Sequence, residues 1–178
     1  DGTMFPPKFI ENKLKFFPFI KEAVAFGHQR ETVTALISID LEAVGNWAER
    51  NGVSYASYQE LAANRKVYDL IQGNIEQVNA DLAEDTNLAT TQINRFVLLH
   101  KELDADDGEL TRTRKVRRRF IAEKYDQIIK GLYSSKDHVK VEAKITFEDG
   151  RTGVIKADLE IRAAKTVAPA AQIAKKAA

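Results

Sequence analysis

The sequence has no cysteine among its 178 residues and no long hydrophobic run. Without cysteine the chain can form no disulfide, thiolate nucleophile or cysteine-based zinc site, which fits a reducing compartment. No apolar segment approaches the roughly 20 residues that a membrane-spanning helix needs. The opening residues, DGTMFPPK, also lack the layout of a signal peptide. We therefore expect a cytoplasmic location.

The chain also has no excess of charge of either sign, since 27 basic residues face 26 acidic ones and give a net charge of +1. No overall field draws it onto nucleic acid or an anionic membrane, so any anion binding must be local. The three histidines, His28, His100 and His138, are far apart and lack metal-ligand spacing. The acidic loop at 104–107 lacks the other ligands of a calcium-binding loop. We predict no metal site.

The apolar share of 44% is enough for one buried core, and the order of periodicities predicts an α+β fold. We expect a small mixed or antiparallel sheet flanked by helices, with an additional C-terminal β-hairpin. The supporting segments are a short helix ending at Pro18, a β-hairpin formed by EAVAFG and TVTALISID, two or three helices over 41–82, a strand at INRFVLLH and a helix over about 115–133 that Thr111 or Thr113 could cap.

The C-terminal part differs in pattern from the rest. Two alternating runs, VKVEAKITF and TGVIKADLEI, flank Asp149-Gly150, which is a strong hairpin signal. The last residues are rich in alanine and lysine and have little to bury, which predicts a tail that is either flexible or held by a neighbour. We therefore divide the chain into a main domain over 1–133, an appended hairpin over 134–162 and a tail over 163–178. The turn-like Asp-Gly pair at the start of the whole chain suggests an excised domain.

The densest chemical signal is the basic run RTRKVRRR over 112–119. At a helix N-terminus each positive charge opposes the helix dipole by about 0.3 to 1 kcal/mol, so the run calls for an anionic partner. Three interpretations remain open: a solvated helix start, a stand-alone basic module that binds nucleic acid or another anionic surface, and a phosphate or carboxylate site. The absence of interleaved aromatic residues argues against nucleic acid.

Several segments together resemble one family. PPKFIENKLKF, IKEAVAFG, TALISID, INRFVLLHKEL and DDGELTRTRKVRR resemble, in this order, the C-terminal domain of bacterial long-chain acyl-CoA synthetases. These enzymes belong to the AMP-binding, adenylate-forming superfamily. No single motif is specific, but the ordered set over about 1–133 is. The resemblance implies a lid domain that moves over a larger N-terminal AMP-binding domain, with fatty acid, ATP, Mg²⁺ and CoA as substrates and cofactors of the whole enzyme.

The resemblance also implies site residues. Lys115 matches the family's catalytic lysine, which acts on the acyl carboxylate and the ATP α-phosphate during adenylate formation. The other residues that it implies as substrate-binding are Gly2, in a loop used in thioester formation, Gly108, Thr111 and Thr113, in the loop that presents the lysine, and the neighbouring Arg112 and Arg114. Gly108 and the threonines fit equally well as ordinary turn and cap residues. The commoner family pattern has glycine directly before the lysine, where this chain has Arg114.

The chain has no glycine-rich loop that could cradle ATP phosphates. The resemblance therefore implies that the partner of this chain is its own N-terminal AMP-binding domain and not nucleic acid. We expect the chain alone to be inactive and to bind none of these substrates tightly. Peripheral attachment of the whole enzyme to the inner face of the membrane is a further expectation from the resemblance.

Overall fold

The computed structural model of the protein describes residues 5–146 and 149–168. Of the predicted site residues, Gly2 lies outside the described residues, as does the part of the predicted tail after residue 168. The helices are α1 (Pro7–Lys15), α2 (Leu41–Arg50), α3 (Tyr58–Ala63), α4 (Arg65–Glu84), α5 (Arg118–Lys124) and α6 (Asp126–Leu132). The strands are β1 (Ile20–Phe26), β2 (Val33–Ile39), β3 (Ile93–Leu98), β4 (His138–Thr146), β5 (Thr152–Glu160) and β6 (Arg162–Ala163).

The main sheet has four strands in the order β1-β2-β3-β6. Strand β2 pairs antiparallel with β1 and parallel with β3, and β6 pairs antiparallel with β3. The predicted α+β class is confirmed, and the sheet is mixed because α2, α3 and α4 lie in the connection between β2 and β3. A connection of this length returns the chain to the same end of the sheet, as a parallel pair requires.

Both faces of the sheet are covered. All seven residues of β2 are buried, as its nearly continuous apolar run TVTALISI implies. On one face Ala35 and Ile37 pack in a cluster with residues of α1, α2, α3 and α4. On the other face Leu36 packs in a second cluster with residues of α5, α6 and the strands β4 and β5. The sheet therefore separates two hydrophobic layers.

Three side chains set the starts of the helices between β2 and β3. The Asp40 carboxylate accepts a hydrogen bond from the Ala43 amide at 2.9 Å and caps α2. Ser57 caps α3 and Asn64 caps α4 in the same way, through their side-chain oxygens. Such caps satisfy backbone donors that a helix start leaves unpaired. These three caps divide the helical region predicted over 41–82 into three helices. Two or three helices were expected there.

The helix predicted over about 115–133 is wrong in its start and in its continuity. It begins at Arg118 and is interrupted at Tyr125, which lies between α5 and α6. Neither predicted threonine caps it, and the N-cap position belongs to Arg117, which makes no capping hydrogen bond with its side chain. The start is later because the Arg117 amide donates to the carbonyl of Glu109, so the preceding residues are held in an extended pairing. Only Arg118 and Arg119 of the basic run lie in the first turn of a helix.

The predicted C-terminal hairpin is confirmed. Strands β4 and β5 pair over nine residue pairs, from His138 with Glu160 to Thr146 with Thr152. The turn contains Gly150 with a φ of 82°, a conformation that glycine adopts without strain. The two strands form a separate two-stranded sheet whose buried residues, such as Ala157 and Leu159, join the α5–α6 side of the core.

After the hairpin the chain returns to the main sheet. Strand β6 pairs with β3, and the following residues are bound by two buried side chains. The Asn79 amide group donates to the carbonyls of Ile93 and Lys165 at 2.8 and 2.9 Å and accepts from the Ile93 amide at 2.7 Å. Gln92 makes a pair of 2.7 Å hydrogen bonds with the backbone of Val167. The first part of the predicted tail is therefore hydrogen-bonded to the domain.

Within the residues that the structure describes, no helix is both long enough and apolar enough to cross a membrane.

We predict that Asn79→Ala destabilises the fold because it removes three hydrogen bonds, including those to the buried amide and carbonyl of Ile93 in β3 and that to the Lys165 carbonyl. The loss in the free energy of unfolding should be about 2 to 4 kcal/mol, as for other buried polar groups that lose their partners. Chemical denaturation measures it, with the exposed Asn87→Ala as the control. Equal stabilities of the two variants would contradict this role of Asn79.

Candidate site on the Lys115 hairpin

Lys115 lies in a small β-hairpin that links the acidic loop to α5. We call residues 109–117 the lysine hairpin. The Arg117 amide donates to the Glu109 carbonyl at 2.9 Å, and the Thr111 amide donates to the Lys115 carbonyl at 2.8 Å. Between these hydrogen bonds Leu110 and Val116 form an antiparallel bridge. Residues 112–114 connect the two arms, and we call residues 112–115 the tip. This pairing explains why residues up to 117 do not continue the helix.

The tip of the lysine hairpin is closed by the two predicted threonines and the backbone. The Arg114 amide donates to the Thr111 carbonyl at 2.9 Å, and the Lys115 amide donates to the Thr111 hydroxyl oxygen at 3.0 Å. The hydroxyl oxygens of Thr111 and Thr113 are 3.1 Å apart. Thr111 thus binds the backbone of the residue that it was predicted to help present. The structure shows this internal role, and the predicted substrate contacts of both threonines stay predictions.

Arg114 adopts the left-handed backbone conformation, with a φ of 63°. A three-residue hairpin loop commonly ends in a residue of this conformation, and glycine occupies it with the least steric cost. This geometry gives a physical reason for glycine directly before the lysine in the commoner family pattern. In this chain arginine adopts the left-handed conformation and adds a positive charge beside Lys115.

The side chains at the tip are available to a partner. Arg112, Thr113, Arg114 and Lys115 are all exposed. Within the described residues, the ion pairs of the basic run belong to Arg118 and Arg119, which follow the tip. The tip therefore presents three cations to solvent on a short, hydrogen-bonded loop. Such an arrangement can attract a phosphate or a carboxylate group and can stabilise negative charge that develops on it.

The base of the lysine hairpin contains a buried acidic residue, Glu109, which is fully inaccessible to solvent. One carboxylate oxygen accepts hydrogen bonds from the Asp104 amide at 3.1 Å and from the Lys101 ammonium. The other oxygen accepts from the Tyr125 hydroxyl and lies 3.2 Å from the Lys124 ammonium. Both oxygens of the carboxylate are therefore satisfied, as a buried charge requires.

The groups around Glu109 have shifted pKa values. Burial alone would lower the pKa of Lys101, but hydrogen bonds to Asp107 and Glu109 outweigh it, so the net shift is upward. The hydrogen bond from Lys101 lowers the pKa of Asp107. Burial, and then the hydrogen bond to Glu109, raises the pKa of the Tyr125 phenol. At neutral pH the lysine is therefore an ammonium group and the tyrosine a hydroxyl donor, as the hydrogen bonds to Glu109 require.

Gly108 lies beside Glu109, with a φ of 77°. A Cβ atom built there would be 3.2 Å from Phe120 Cζ and 3.3 Å from Arg117 Nη1. The Arg117 guanidinium also donates to the Gly108 carbonyl at 2.8 Å and lies over the Phe120 ring. These contacts fit the interpretation of Gly108 as a turn residue, packed at the base of the hairpin. Its predicted contact with substrate stays a prediction.

The helix side of the hairpin is fixed by Arg118. Its guanidinium is 2.6 Å from the buried Glu11 carboxylate and donates to the Ala25 carbonyl at 2.9 Å. Glu11 in turn accepts from the Ala25 amide at 2.7 Å. Neither Glu11 nor Glu109 is among the site residues predicted from the sequence. The sequence does contain an indication that Glu11 is buried and paired. It is an acidic residue directly beside Ile10 on the apolar face of a predicted helix.

The histidines do not form a metal site in the described part of the chain, where no group of three or more potential metal ligands is arranged around a common point. His100 and His138 both line a cleft between the α3–α4 region and β5, together with Arg65 and Asp158. His138 Nδ1 lies 3.4 Å from the Asp158 carboxylate. Burial, with the nearby Lys101 charge second, lowers the pKa of His100. His100 is therefore neutral at physiological pH.

Comparison with known proteins identifies what the chain resembles. The family model described as AMP-binding enzyme C-terminal domain matches residues 1–137. The long-chain-fatty-acid–CoA ligase FadD15 of Mycobacterium tuberculosis is 32% identical over 134 residues, which cover 75% of this chain and 22% of that protein. The long-chain-fatty-acid–CoA ligase ACSBG1 of Mus musculus is 27% identical over 149 residues, 74% of this chain and 20% of that protein. This chain thus spans about a fifth of the length of these relatives.

Among solved structures, the chain is similar to the A-PCP didomain of a carboxylic acid reductase from Segniliparus rugosus, in complex with AMP. The similarity has a TM-score of 0.53 at 14% sequence identity and covers 71% of this chain and 16% of that one. At this identity the likeness concerns the fold alone. It agrees with the α+β architecture described above.

We predict that the left-handed conformation at position 114 tolerates glycine but not valine. The two variants Arg114→Gly and Arg114→Val remove the same charge and differ in the cost of a positive φ, which is about 1 to 2 kcal/mol for residues with a Cβ and larger for β-branched ones. The valine variant should increase hydrogen exchange at the Lys115 amide about tenfold relative to the glycine variant. NMR exchange measurements test this, and equal rates in the two variants would contradict it.

Proposed function

Because the chain belongs to the family of AMP-binding enzyme C-terminal domains, we propose that it is the catalytic lid domain of a long-chain fatty-acid–CoA ligase. Lys115 is then the residue that supports ATP-dependent adenylation of the fatty acid. The observation that carries the proposal is the position of Lys115, exposed directly after a tight turn that its own backbone amide helps to close. The ligase names of the similar proteins support the choice of substrates.

The proposed reaction has two steps. The carboxylate of the fatty acid attacks the α-phosphate of ATP, which is supplied with Mg²⁺, and gives an acyl adenylate and pyrophosphate. The thiol of CoA then attacks the acyl carbon, and AMP leaves as the thioester forms. In this proposal the predicted loop around Gly2, outside the described residues, serves the second step. This chain therefore contributes Lys115 to the first step and the loop around Gly2 to the second. The substrates themselves are bound mainly by another domain.

The role proposed for Lys115 is electrostatic. During adenylation negative charge moves between the carboxylate, the α-phosphate and the departing pyrophosphate, and a fixed ammonium group stabilises that charge where water is excluded. Arg112 and Arg114, which lie in the tip with Lys115, add positive potential that favours an approaching phosphate chain. The hydrogen bonds within the hairpin limit the reorganisation that the lysine would otherwise need at the moment of reaction.

The partner in this proposal is an N-terminal AMP-binding domain. Two observations support it: the aligned part of this chain covers only about a fifth of each relative, and the chain itself has no phosphate-cradling glycine-rich loop. Exposure of all three cations at the tip is consistent with a surface that meets its substrate only when another domain closes on it. Family membership favours this proposal over the stand-alone basic module that the basic run also allowed.

We predict that Lys115→Ala, in the full-length protein that carries both domains, lowers the rate of fatty-acid-dependent pyrophosphate release by about 10²- to 10³-fold, because one charge-stabilising group is lost. Thioester formation from preformed acyl adenylate and CoA should keep most of its rate. The two half-reactions are measured separately, by pyrophosphate release and by thioester production.

The control for this experiment is Lys130→Ala, which removes an exposed lysine of α6 far from the lysine hairpin in sequence. It should leave both half-reactions unchanged. Pyrophosphate release that survives Lys115→Ala at the wild-type rate would refute the assignment of Lys115.

We further predict that the 178-residue chain alone releases no pyrophosphate from ATP in the presence of fatty acid, because the ATP-binding groups belong to the partner domain. The measurement is the same pyrophosphate assay, with the full-length protein as the positive control. ATP- and fatty-acid-dependent release by the isolated chain would show that the division of roles between the domains is wrong.

A further inference from the structure

Glu109 is the most enclosed charged group at the candidate site. Its side chain has no accessible surface, and its carboxylate contacts two ammonium groups, one phenol and one backbone amide. An apolar residue of similar volume often stabilises a fold as well as a buried ion pair does. Burial of a fully paired carboxylate therefore points to a geometric role, in which the charge fixes how the surrounding segments sit relative to one another.

The partners of Glu109 come from three different segments. Lys101 follows β3, Asp104 begins the acidic loop, and Lys124 and Tyr125 lie where α5 ends and α6 begins. Tyr125 is also the point at which the predicted single helix is interrupted. One carboxylate thus joins the end of the sheet, the loop and the helix junction, and all three surround the base of the lysine hairpin.

A short and fully paired path leads from Glu109 to Lys115. The Glu109 carbonyl accepts from Arg117, and the neighbouring Leu110 is buried and bridges to Val116. The next pair, Thr111 and Lys115, is joined by two hydrogen bonds. Backbone pairing between the two arms therefore continues from Glu109 to Lys115. A change in the orientation of the Glu109 side chain would therefore also move the arm of the hairpin that carries Lys115.

We infer that Glu109 is a positioning residue for the proposed adenylation step: its carboxylate sets the direction in which the lysine hairpin presents the Lys115 ammonium. The effect on catalysis rests on the function proposed above. The anchoring itself is a property of this chain and can be measured without any activity. Glu109 does not contact substrate in this scheme, because it is buried beneath the hairpin.

The first test is Glu109→Gln in the 178-residue chain. The change keeps the volume of the side chain and an oxygen for the Asp104 amide, but it removes the charge that holds Lys101 and Lys124. Hydrogen exchange at the amides of Lys115 and Arg117 should accelerate about 10- to 100-fold, as expected for loss of hydrogen bonds to a charged group. Amides of β2 in the central sheet should exchange at their usual rates.

The matched control is Glu123→Gln, which removes the same charge from an exposed position on α5, where the carboxylate pairs with Arg119. It should leave exchange in the lysine hairpin unchanged. A second variant, Tyr125→Phe, keeps the carboxylate and removes one of its hydrogen bonds. It should accelerate exchange in the same direction but less, and it tests the inference even if Glu109→Gln does not fold.

The second test uses the full-length protein and separates positioning from simple loss of fold. Glu109→Gln should lower kcat for pyrophosphate release about 10- to 100-fold while KM for ATP changes less than about threefold, because binding stays with the other domain. Thioester formation from preformed acyl adenylate should be retained. Glu109→Asp, which restores the charge, should recover part of the lost kcat. A merely structural defect would lower both half-reactions together.

Unchanged hairpin exchange in both Glu109→Gln and Tyr125→Phe would overturn the inference. Faster exchange with full pyrophosphate release would overturn the catalytic part, provided that Lys115→Ala abolishes release. If Lys115→Ala also leaves release intact, the proposed function fails on its own, and faster exchange at Lys115 still supports the anchoring by Glu109.

Discussion

Burial of strand β2 on both faces is the constraint on which the rest of the structure depends. Seven consecutive buried residues cannot face water on either side, so apolar layers must cover the strand above and below. The first layer comes from α1 to α4, and the second from α5, α6 and the C-terminal hairpin. The second layer brings α5 against the sheet and so places the hairpin that precedes it. The position of Lys115 is in this sense a consequence of how β2 is buried.

Much of the fold could be predicted from the sequence because local and tertiary preferences agree. The short helix predicted before Pro18 corresponds to α1, and Asp149-Gly150 predicted the turn of the last hairpin. The residues just before Phe120 were predicted wrongly. Their apolar spacing indicated a helix from about residue 115, whereas α5 begins at Arg118. Hydrogen bonds from Thr111 to Lys115, and from Arg117 to Glu109, favour an extended pairing there. The spacing of apolar residues reports which side chains share a face, and it contains no information on such backbone hydrogen bonds.

The candidate site was predictable in part. Resemblance to a family selected Lys115 and its neighbours, and the structure shows four of the selected residues, 112–115, exposed together on the lysine hairpin. The resemblance could not identify Glu109. The proposed role of that residue depends on contacts with segments that are distant in sequence or on the far side of a turn. Lys101 and Tyr125 lie 8 and 16 residues away and converge only in the folded chain. An acidic residue within a polar loop gives no sign in sequence that it is buried.

The ion pair between Glu11 and Arg118 has a consequence beyond the placement of α5. Together the two side chains bind both the amide and the carbonyl of Ala25, one residue of the edge strand β1. At the opposite edge, β6 pairs with β3, and the Ala164 amide donates to the Asn94 carbonyl at 2.9 Å. Free strand edges invite pairing with other chains and aggregation. An incoming strand would therefore meet occupied backbone groups on each side of the main sheet, which disfavours pairing there.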